Sequence, residues 1–314
     1  MSSQFILQHC LPTGTKIDGY IILKPISAGG FSIVYLAVDQ DTKAKVVIKE
    51  YFPKSQVKRL RNHQVVPISK SKERSLQKGR MLFFQEASTL ATLKHPNVVN
   101  VINFFRANDT VYMVMDFEEG KNLQSYIKQH SGKLSERFIL TAFPALLEGL
   151  GAIHEAGYLH LDIKPGNIHI RPGGRPLLLD FGSVHRRELS RQHQPGQVLT
   201  AGYAPIEQFN KTGYVGPWTD LYALGASMRS CIDGKSPLDS RQRHENDTLP
   251  PAKIAYAKQY SENLLSAIDW CMEIDPELRP QSVEELIQRL PGLPSSTSRG
   301  PAWLSRLTGT RTRR

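Results

Sequence analysis

Two short polar runs carry the side chains best suited to chemistry. The first reads His160-Leu161-Asp162-Ile163-Lys164-Pro165-Gly166-Asn167, and the second, Asp180-Phe181-Gly182, follows a short way downstream. Carboxylate and amide oxygens are hard ligands that suit a divalent cation such as magnesium. Lysine ammonium groups, such as those of Lys164 and of Lys49 far upstream, are point charges that suit an anion. A lone Asp-Phe-Gly triplet arises by chance about once in several thousand positions, and turn acids beside a satisfied histidine are commonplace. The two runs nevertheless bracket a predicted hairpin turning at Pro172-Gly173-Gly174, and the joint arrangement is far more specific than either run alone.

The elements that must position these groups follow from periodicity. Residues 20–26, 33–38 and 45–51 are short, rich in Val, Ile and Tyr, and broken by Gly or Asp, which predicts three antiparallel strands with Lys49 on the third. A helix is predicted over 76–93, where Leu82, Phe83, Glu86, Leu90 and Leu93 recur at helical spacing, and His95-Pro96-Asn97 stops it. Two more strands are expected over 104–106 and 111–117, making a small lobe of five strands and one helix. Beyond Gly120 the pattern turns helical, over 135–156, 218–232, 261–272 and 282–290, with short strands at 168–171 and 176–179. Pro144 weakens the first of these helices locally.

With these elements placed, the run from His160 to Asn167 resembles the catalytic loop H-x-D-x-K-P-x-N of the eukaryotic-type protein kinases, and Asp180-Phe181-Gly182 resembles their metal loop. The resemblance covers residues 19–290. Its flavour is bacterial, because Lys49-Glu50-Tyr51-Phe52-Pro53 and residues 202–208 look like those of the Hanks-type serine/threonine kinases that carry an I-K-E-Y-F-P insertion. It implies an α+β, bilobal protein-kinase fold, with a small β-rich N-lobe carrying one main helix and a larger, mostly helical C-lobe. The implied organisation is an N-terminal extension (1–18), a kinase domain (19–290; N-lobe 19–117, hinge 116–120, C-lobe 121–290) and a basic disordered tail (291–314).

The same resemblance implies roles. Asp162 would orient the acceptor hydroxyl and take its proton, Lys164 would steady the transferring phosphate, and Asn167 and Asp180 would hold magnesium, with manganese as the alternative ion. Val46-Val47-Ile48-Lys49 matches the family's third strand, so Lys49 would reach the α- and β-phosphates of ATP, paired with Glu86 on the helix. Glu50 neighbours Lys49 on the strand and therefore points to the opposite face. A lysine two residues after the catalytic aspartate is the family's signature for serine and threonine acceptors.

Ile26, Ser27, Gly29, Gly30, Ser32 and Val34 fall on the glycine-rich loop that covers the phosphates, with serines in place of its first and third glycines. By the same resemblance Val47 and His169 would flank the adenine, Met115 would be the gatekeeper, and Asp116, Phe117 and Glu118 would form the hinge. Several parts are required because a millionfold acceleration needs about 8 kcal/mol, whereas one electrostatic donor supplies about 3 to 4 kcal/mol.

Structural roles are expected for His160, for Asp220 in Thr219-Asp220-Leu221, and for a buried bridge between Glu207 and Arg279. Leu161 stands where many relatives have an arginine that reads a phosphate on the activation segment, which implies activity without that phosphate. Of the hydroxyls between Asp180 and Gly202, Thr200 is expected to contact Asp162 and Lys164. Ser190, beside Arg186, Arg187 and Arg191, is the candidate for autophosphorylation.

Composition bounds the remainder. A chain of 314 residues with 40% hydrophobic content can bury a sizeable core. No uninterrupted apolar run approaches the roughly 20 residues of a membrane helix, and residues 1–10 lack signal-peptide features, so the cytoplasm is the expected compartment. Cys10, Cys231 and Cys271 lack metal-ligand spacing and are expected as free thiols.

The formal charge of +11 concentrates between residues 52 and 80 and in the tail, where solvated surface is the expected reading of both runs. The expected partners are protein substrates and an opposing phosphatase, with an acidic lipid or protein surface for the tail. Specific nucleic-acid binding is not expected, since aromatic residues do not interleave the basic runs. Two other readings stay open. One is a pseudokinase or scaffold, motivated by Ser27, Ser32, Val47 and His169; the other is a small-molecule phosphotransferase of the aminoglycoside type, against which Asp180-Phe181-Gly182, Lys164 and the Glu207–Arg279 pair speak.

Overall fold

The computed structural model describes residues 8–179, 185–186, 199–210 and 213–290. The N-lobe is built on β1 (Lys16–Ile17), β2 (Tyr20–Ala28), β3 (Ser32–Asp39) and β4 (Lys45–Tyr51), followed by the hairpin β5 (Val57–Arg59) and β6 (Val65–Pro67). Helix α1 (Glu73–Thr92) comes next, and β7 (Val101–Ala107) and β8 (Thr110–Asp116) complete the lobe. The main sheet is antiparallel and six-stranded, in the order β1-β2-β3-β4-β8-β7. Ile33, Tyr35 and Ala37 on β3 are buried at every second position, as a sheet with one face on the core demands.

The sheet therefore gains a strand over the five expected, and the gain lies in the segment read as an extension. Cys10, Leu11 and Ile17 are buried in the lobe's core, and the Leu11 amide donates to the Tyr35 hydroxyl at 3.1 Å. Residues 10–17 are part of the lobe: Leu11 packs on the face of the sheet that carries Tyr35 and Glu50, and β1 adds Ile17 beside β2.

The basic run after β4 also departs from the expectation of plain solvated surface. Alternation on β5 turns Lys58 outward and Val57 and Arg59 inward. The Arg59 guanidinium meets Glu50 at 2.5 Å and donates to the carbonyls of His9 and His63. Glu50, fully buried on the face of β4 opposite Lys49, also accepts from the hydroxyls of Tyr35 and Tyr112 at 2.7 and 2.6 Å. A buried carboxylate is tolerable only when so supplied with donors, and this one fastens the hairpin, the N-terminal strap and the sheet to one point. Lys54, Lys58, Arg61, Lys70, Lys72, Arg74 and Lys78 do face solvent.

Downstream of β4 the chain also grips the glycine-rich turn between β2 and β3. The amides of Phe52 and Lys54 donate to the carbonyls of Phe31 and Gly30 at 2.7 and 3.1 Å. Pro53 lies between them, where strand alternation turns its missing N–H away from the ladder, so proline costs no bond there.

Helix α1 seats on β4 through Gly79, where a Cβ would fall 1.9 Å from the Tyr51 hydroxyl oxygen. Tyr51 cannot retreat freely, since its ring is tilted against Phe83 at 5.6 Å and is buried. Gly79→Ala should therefore destabilise the protein by about 1–3 kcal/mol in urea unfolding through overpacking, although alanine raises helix propensity by about 1 kcal/mol. A net gain in stability would show that the contact is slack.

The lobes are stitched by the segment after α1. The Asn97 side chain donates to the Pro176 carbonyl at 2.9 Å, and the Leu178 and Val99 amides exchange bonds with the carbonyls of Asn97 and Leu178.

The C-lobe opens with β9 (Lys121–Asn122), α2 (Leu123–Gln129) and α3 (Glu136–Glu155). It continues through β10 (Tyr158–Leu159), β11 (Ile168–Ile170), β12 (Pro176–Leu178) and β13 (His185–Arg186). Its remaining helices are α4 (Ile206–Phe209), α5 (Pro217–Asp233), α6 (Ser240–Glu245), α7 (Ala252–Ala255), α8 (Glu262–Cys271) and α9 (Val283–Arg289). Ser135, Ser261 and Ser282 cap α3, α8 and α9 with their hydroxyls, which fixes the starts that periodicity had placed only to within a residue.

Helix α3 runs through Pro144, and the lost hydrogen bond is offset by packing, for Phe143, Pro144, Leu146, Leu147 and Leu150 are all buried. By length and composition α3 is apolar enough to cross a bilayer, but here it packs as a core helix beside α5, α9 and β12. Cys231 and Cys271 are free and buried, and burial pushes both thiols up, away from the reactive thiolate.

Candidate active site

Helix α3 and β10 lead the chain into His160, which is fully buried. Asp220, in the first turn of α5 and also fully buried, accepts the backbone N–H of His160 at 2.9 Å and of Leu161 at 2.7 Å, and meets His154 Nε2 at 2.8 Å. Leu161 is held at φ +59°, a left-handed conformation that a leucine adopts only where its surroundings impose it. The turn it makes delivers Asp162 to the cleft with its side chain about a quarter exposed, at 23%.

The neighbours of Asp162 converge on its carboxylate. Lys164 Nζ donates to both oxygens at 2.8 Å, Asn167 Nδ2 to Oδ2 at 2.9 Å, and Thr200 Oγ1 to Oδ1 at 3.3 Å. Lys164 also donates to Thr200 at 3.0 Å, so aspartate, lysine and threonine close a triangle. Asn167 Nδ2 further donates to the Asp162 carbonyl at 2.8 Å. Its amide nitrogen is thereby committed to the loop, and the amide oxygen is the atom left for a cation.

In the small lobe, Lys49 is paired on β4 with Val34 of β3 and Met113 of β8, and is buried. Its Nζ lies 3.9 Å from Glu86 Oε1 and 5.5 Å from the Phe83 ring centre. The expected partner on α1 is thus at the outer limit of an ion pair. Phe83, one turn before Glu86 on the same helix face, adds a cation–π contact that the sequence reading did not name.

The rest of the expected nucleotide slot lies on the same strands. Ser27 and Val34 are registered partners across β2 and β3, Ile26 is exposed at the rim, and the turn Gly29–Gly30 to Ser32 is closed by the Gly29 amide on the Ser32 carbonyl at 2.9 Å. Val47 is paired with Met115. At the hinge, Asp116 is held by Asn100 from both backbone and side chain, Glu118 pairs with Arg171 at 3.4 Å, and Phe117 lies under Lys45. His169 on β11 turns Nε2 toward Gly120, where a Cβ would stand 2.7 Å from it; at φ +142° only glycine fits that position.

Asp180, Phe181, Gly182, Ser183 and Ser190 lie outside the described residues, as do the tail residues 291–314. The Leu179 amide donates to the Asn167 carbonyl at 2.8 Å, and Asp180 is the next residue in the chain. The oxygen donors in this part of the sequence, an amide and a carboxylate, suit a hard divalent ion.

The structural pair expected at the end of the activation segment is present. Arg279 Nη1 and Nη2 meet the Glu207 carboxylate at 2.7 and 3.1 Å, and Thr219 donates to the same carboxylate at 2.9 Å.

With this geometry in place, comparison with known proteins is direct. Residues 20–290 match the protein kinase domain, and the chain belongs to that family. It is 30% identical over 302 residues to the serine/threonine-protein kinase pkn2 of Myxococcus xanthus, covering 91% of this chain and 34% of that protein. To serine/threonine-protein kinase F of Synechocystis it is 28% identical over 316 residues, covering 93% of this chain and 59% of that protein. Among solved structures, "PpkA-294 apo form" superposes with a TM-score of 0.80 at 36% identity, covering 90% of this chain and 99% of that one. The chain thus spans only part of the length of these curated relatives, and the bacterial Hanks-type fold expected from sequence is the fold found. The family uses ATP and a divalent metal.

Asp220 carries a pH signature. Burial opposes its charge, but the hydrogen bond and charge of His154, the charge of His160 and the His160 amide together hold its carboxyl below the usual value. A depressed folded value means that its stabilisation is complete above the unfolded value of about 3.9 and is lost as pH falls through the folded one. Urea unfolding of wild type should therefore lose stability below about pH 4 more steeply than that of Asp220→Asn. Parallel pH profiles for the two proteins would place the acid sensitivity elsewhere.

Proposed function

We propose that this chain is a serine/threonine protein kinase that transfers the γ-phosphate of ATP to hydroxyls of protein substrates, with magnesium as its working ion. The observation that carries the reading is the triangle of Asp162, Lys164 and Thr200, braced by Asn167, with the Lys49–Glu86 pair held in the small lobe. The names of the relatives agree with it. Every charged group the chemistry asks of the described residues is in place, which favours activity over a scaffold. The Glu207–Arg279 pair and the residue 20–290 family match favour a protein kinase over a small-molecule phosphotransferase.

In this reading Asp162 Oδ1 or Oδ2 accepts the proton of the attacking hydroxyl, and Lys164 neutralises charge on the moving phosphoryl group. Thr200 keeps lysine and aspartate in register, while Lys49, steadied by Glu86 and Phe83, holds the nucleotide from the other lobe. Asn167, and Asp180 beyond the described residues, would hold the metal; when bound, it neutralises phosphate charge. Use of ATP favours a cytoplasmic site of action, where a phosphatase would oppose it.

The test is incorporation of labelled γ-phosphate into a generic protein substrate, followed by phosphoamino-acid analysis. Label on serine or threonine, lost in Lys49→Met and on chelation of divalent ions, is the expected result. Label on tyrosine alone, or none with wild type, would reject the reading.

A further inference from the structure

The catalytic loop is held from a side that the roles above leave unused. Gln208, on α4 at the end of the activation segment, is buried at 4% exposure and makes one long-range side-chain bond, from Nε2 to the Leu161 carbonyl at 3.0 Å. A carbonyl oxygen can only accept, so the amide orientation is fixed by its partner. Leu161 is the residue at φ +59° that turns the chain into Asp162. Its N–H is already taken by Asp220 at 2.7 Å. Asp220 and Gln208 therefore hold the N–H and the C=O of the same residue, one from α5 and the other from α4. The Leu161 carbonyl belongs to the peptide unit that carries the Asp162 amide, so tilting that unit swings Asp162.

The segment that carries Gln208 is itself firmly fixed. Its neighbour Glu207 is clamped by Arg279 and Thr219, the Tyr203 hydroxyl meets Ser230 at 3.0 Å, and Ser240 donates to the Ala204 carbonyl at 2.8 Å. Thr200, at the start of the same segment, reaches the Asp162 carboxylate directly. Residues 200–208 thus reach Asp162 twice, at its side chain through Thr200 and, through Gln208, at the Leu161 carbonyl of the peptide unit that precedes it.

On the kinase reading above, we propose that Gln208 is a positioning residue for Asp162, coupling the placement of the segment at residues 200–208 to the aim of the catalytic carboxylate. A left-handed leucine is costly by about 1–2 kcal/mol and persists because both of its peptide groups are pinned. Release of the carbonyl lets it relax toward ordinary backbone angles and misplaces the base. Nothing in the coupling requires Gln208 to touch substrate or nucleotide, so its loss acts on the rate of transfer and not on ATP binding.

The experiment compares wild type, Gln208→Met and Gln208→Glu in full-length protein, with kcat, KM for ATP and melting temperature measured for each between pH 5.5 and 8.5. Methionine keeps the length of the side chain and removes the donor. It is expected to lower kcat by roughly 10- to 100-fold, the range for a misplaced catalytic group, with KM for ATP and the melting transition close to wild type. Glutamate faces the carbonyl with a second acceptor when ionised and with an O–H donor when protonated. Its kcat relative to wild type should therefore climb as pH falls through the titration of that buried carboxyl. A kcat equal to wild type in both variants, or a loss shared by kcat, ATP affinity and melting temperature alike, would overturn the proposal in favour of a purely structural glutamine. Wild type run in the same assay separates this failure from failure of the kinase reading, since an inactive wild type removes the reading itself.

Discussion

On the proposed function, replacing Asp162 by asparagine should lower the rate of phosphoryl transfer by about 10²- to 10⁴-fold, the contribution of one placed proton acceptor, while ATP binding is retained. The amide keeps the size of the carboxylate, so Asn167 and Lys164 retain a partner near the 2.8–2.9 Å now observed. What disappears is the group able to take a proton. Steady-state transfer with a peptide acceptor, paired with calorimetric titration of ATP, distinguishes this from collapse of the loop. Equal losses in both measurements would mean that Asp162 shapes the cleft and does not serve the acceptor.

Removing Arg279 has the largest expected effect on stability. Its side chain is completely buried, is doubly bonded to Glu207, donates to the Glu273 and Ile274 carbonyls, and lies 4.8 Å over the Tyr222 ring. Arg279→Ala leaves a buried carboxylate facing a void, a change that costs about 3–5 kcal/mol. For a domain of this size that shifts the melting temperature by roughly 10 °C, at about 2–4 °C per kcal/mol. Replacing both partners, as Glu207→Gln with Arg279→Met, should cost less than Arg279→Ala alone, because no unpaired charge is left behind. Differential scanning calorimetry decides the order; an Arg279→Ala protein that melts with wild type would show the pair to be dispensable.

Much of this was legible in the residues. The strand around Lys49 and the helices capped by Ser135, Ser261 and Ser282 were found within a residue or two, because apolar periodicity and hydroxyl caps are local signals. The catalytic loop was legible because its side chains lie within a few positions of one another, whereas Thr200, 38 positions from Asp162, was legible only through the family resemblance. What escaped depends on contacts distant in sequence. Arg59 looked like one more cation in a basic run, and only alternation along a three-residue strand turns it onto Glu50.

Cys10 and Leu11 gave no strand pattern, yet they are buried because Leu11 meets the sheet face at Tyr35, a partner distant in sequence. Gln208 stood beside the recognised Glu207 without a feature of its own, since its partner is a backbone carbonyl far upstream. His154 and Phe83 were hidden for a related reason. Each reads as an ordinary position of an amphipathic helix, and its role comes from the Asp220 or Lys49 it meets across the fold.

The central claim is that Lys49 from the small lobe and Asp162 with Asn167 from the large one close on a single triphosphate. A crystal structure with magnesium and a non-hydrolysable ATP analogue tests it most directly. The expected density has the α- and β-phosphates against Lys49 Nζ, the ion on the Asn167 amide oxygen, and the terminal phosphate beside Asp162. Nucleotide seated elsewhere, or bound with its phosphates directed away from Asp162, would contradict the account.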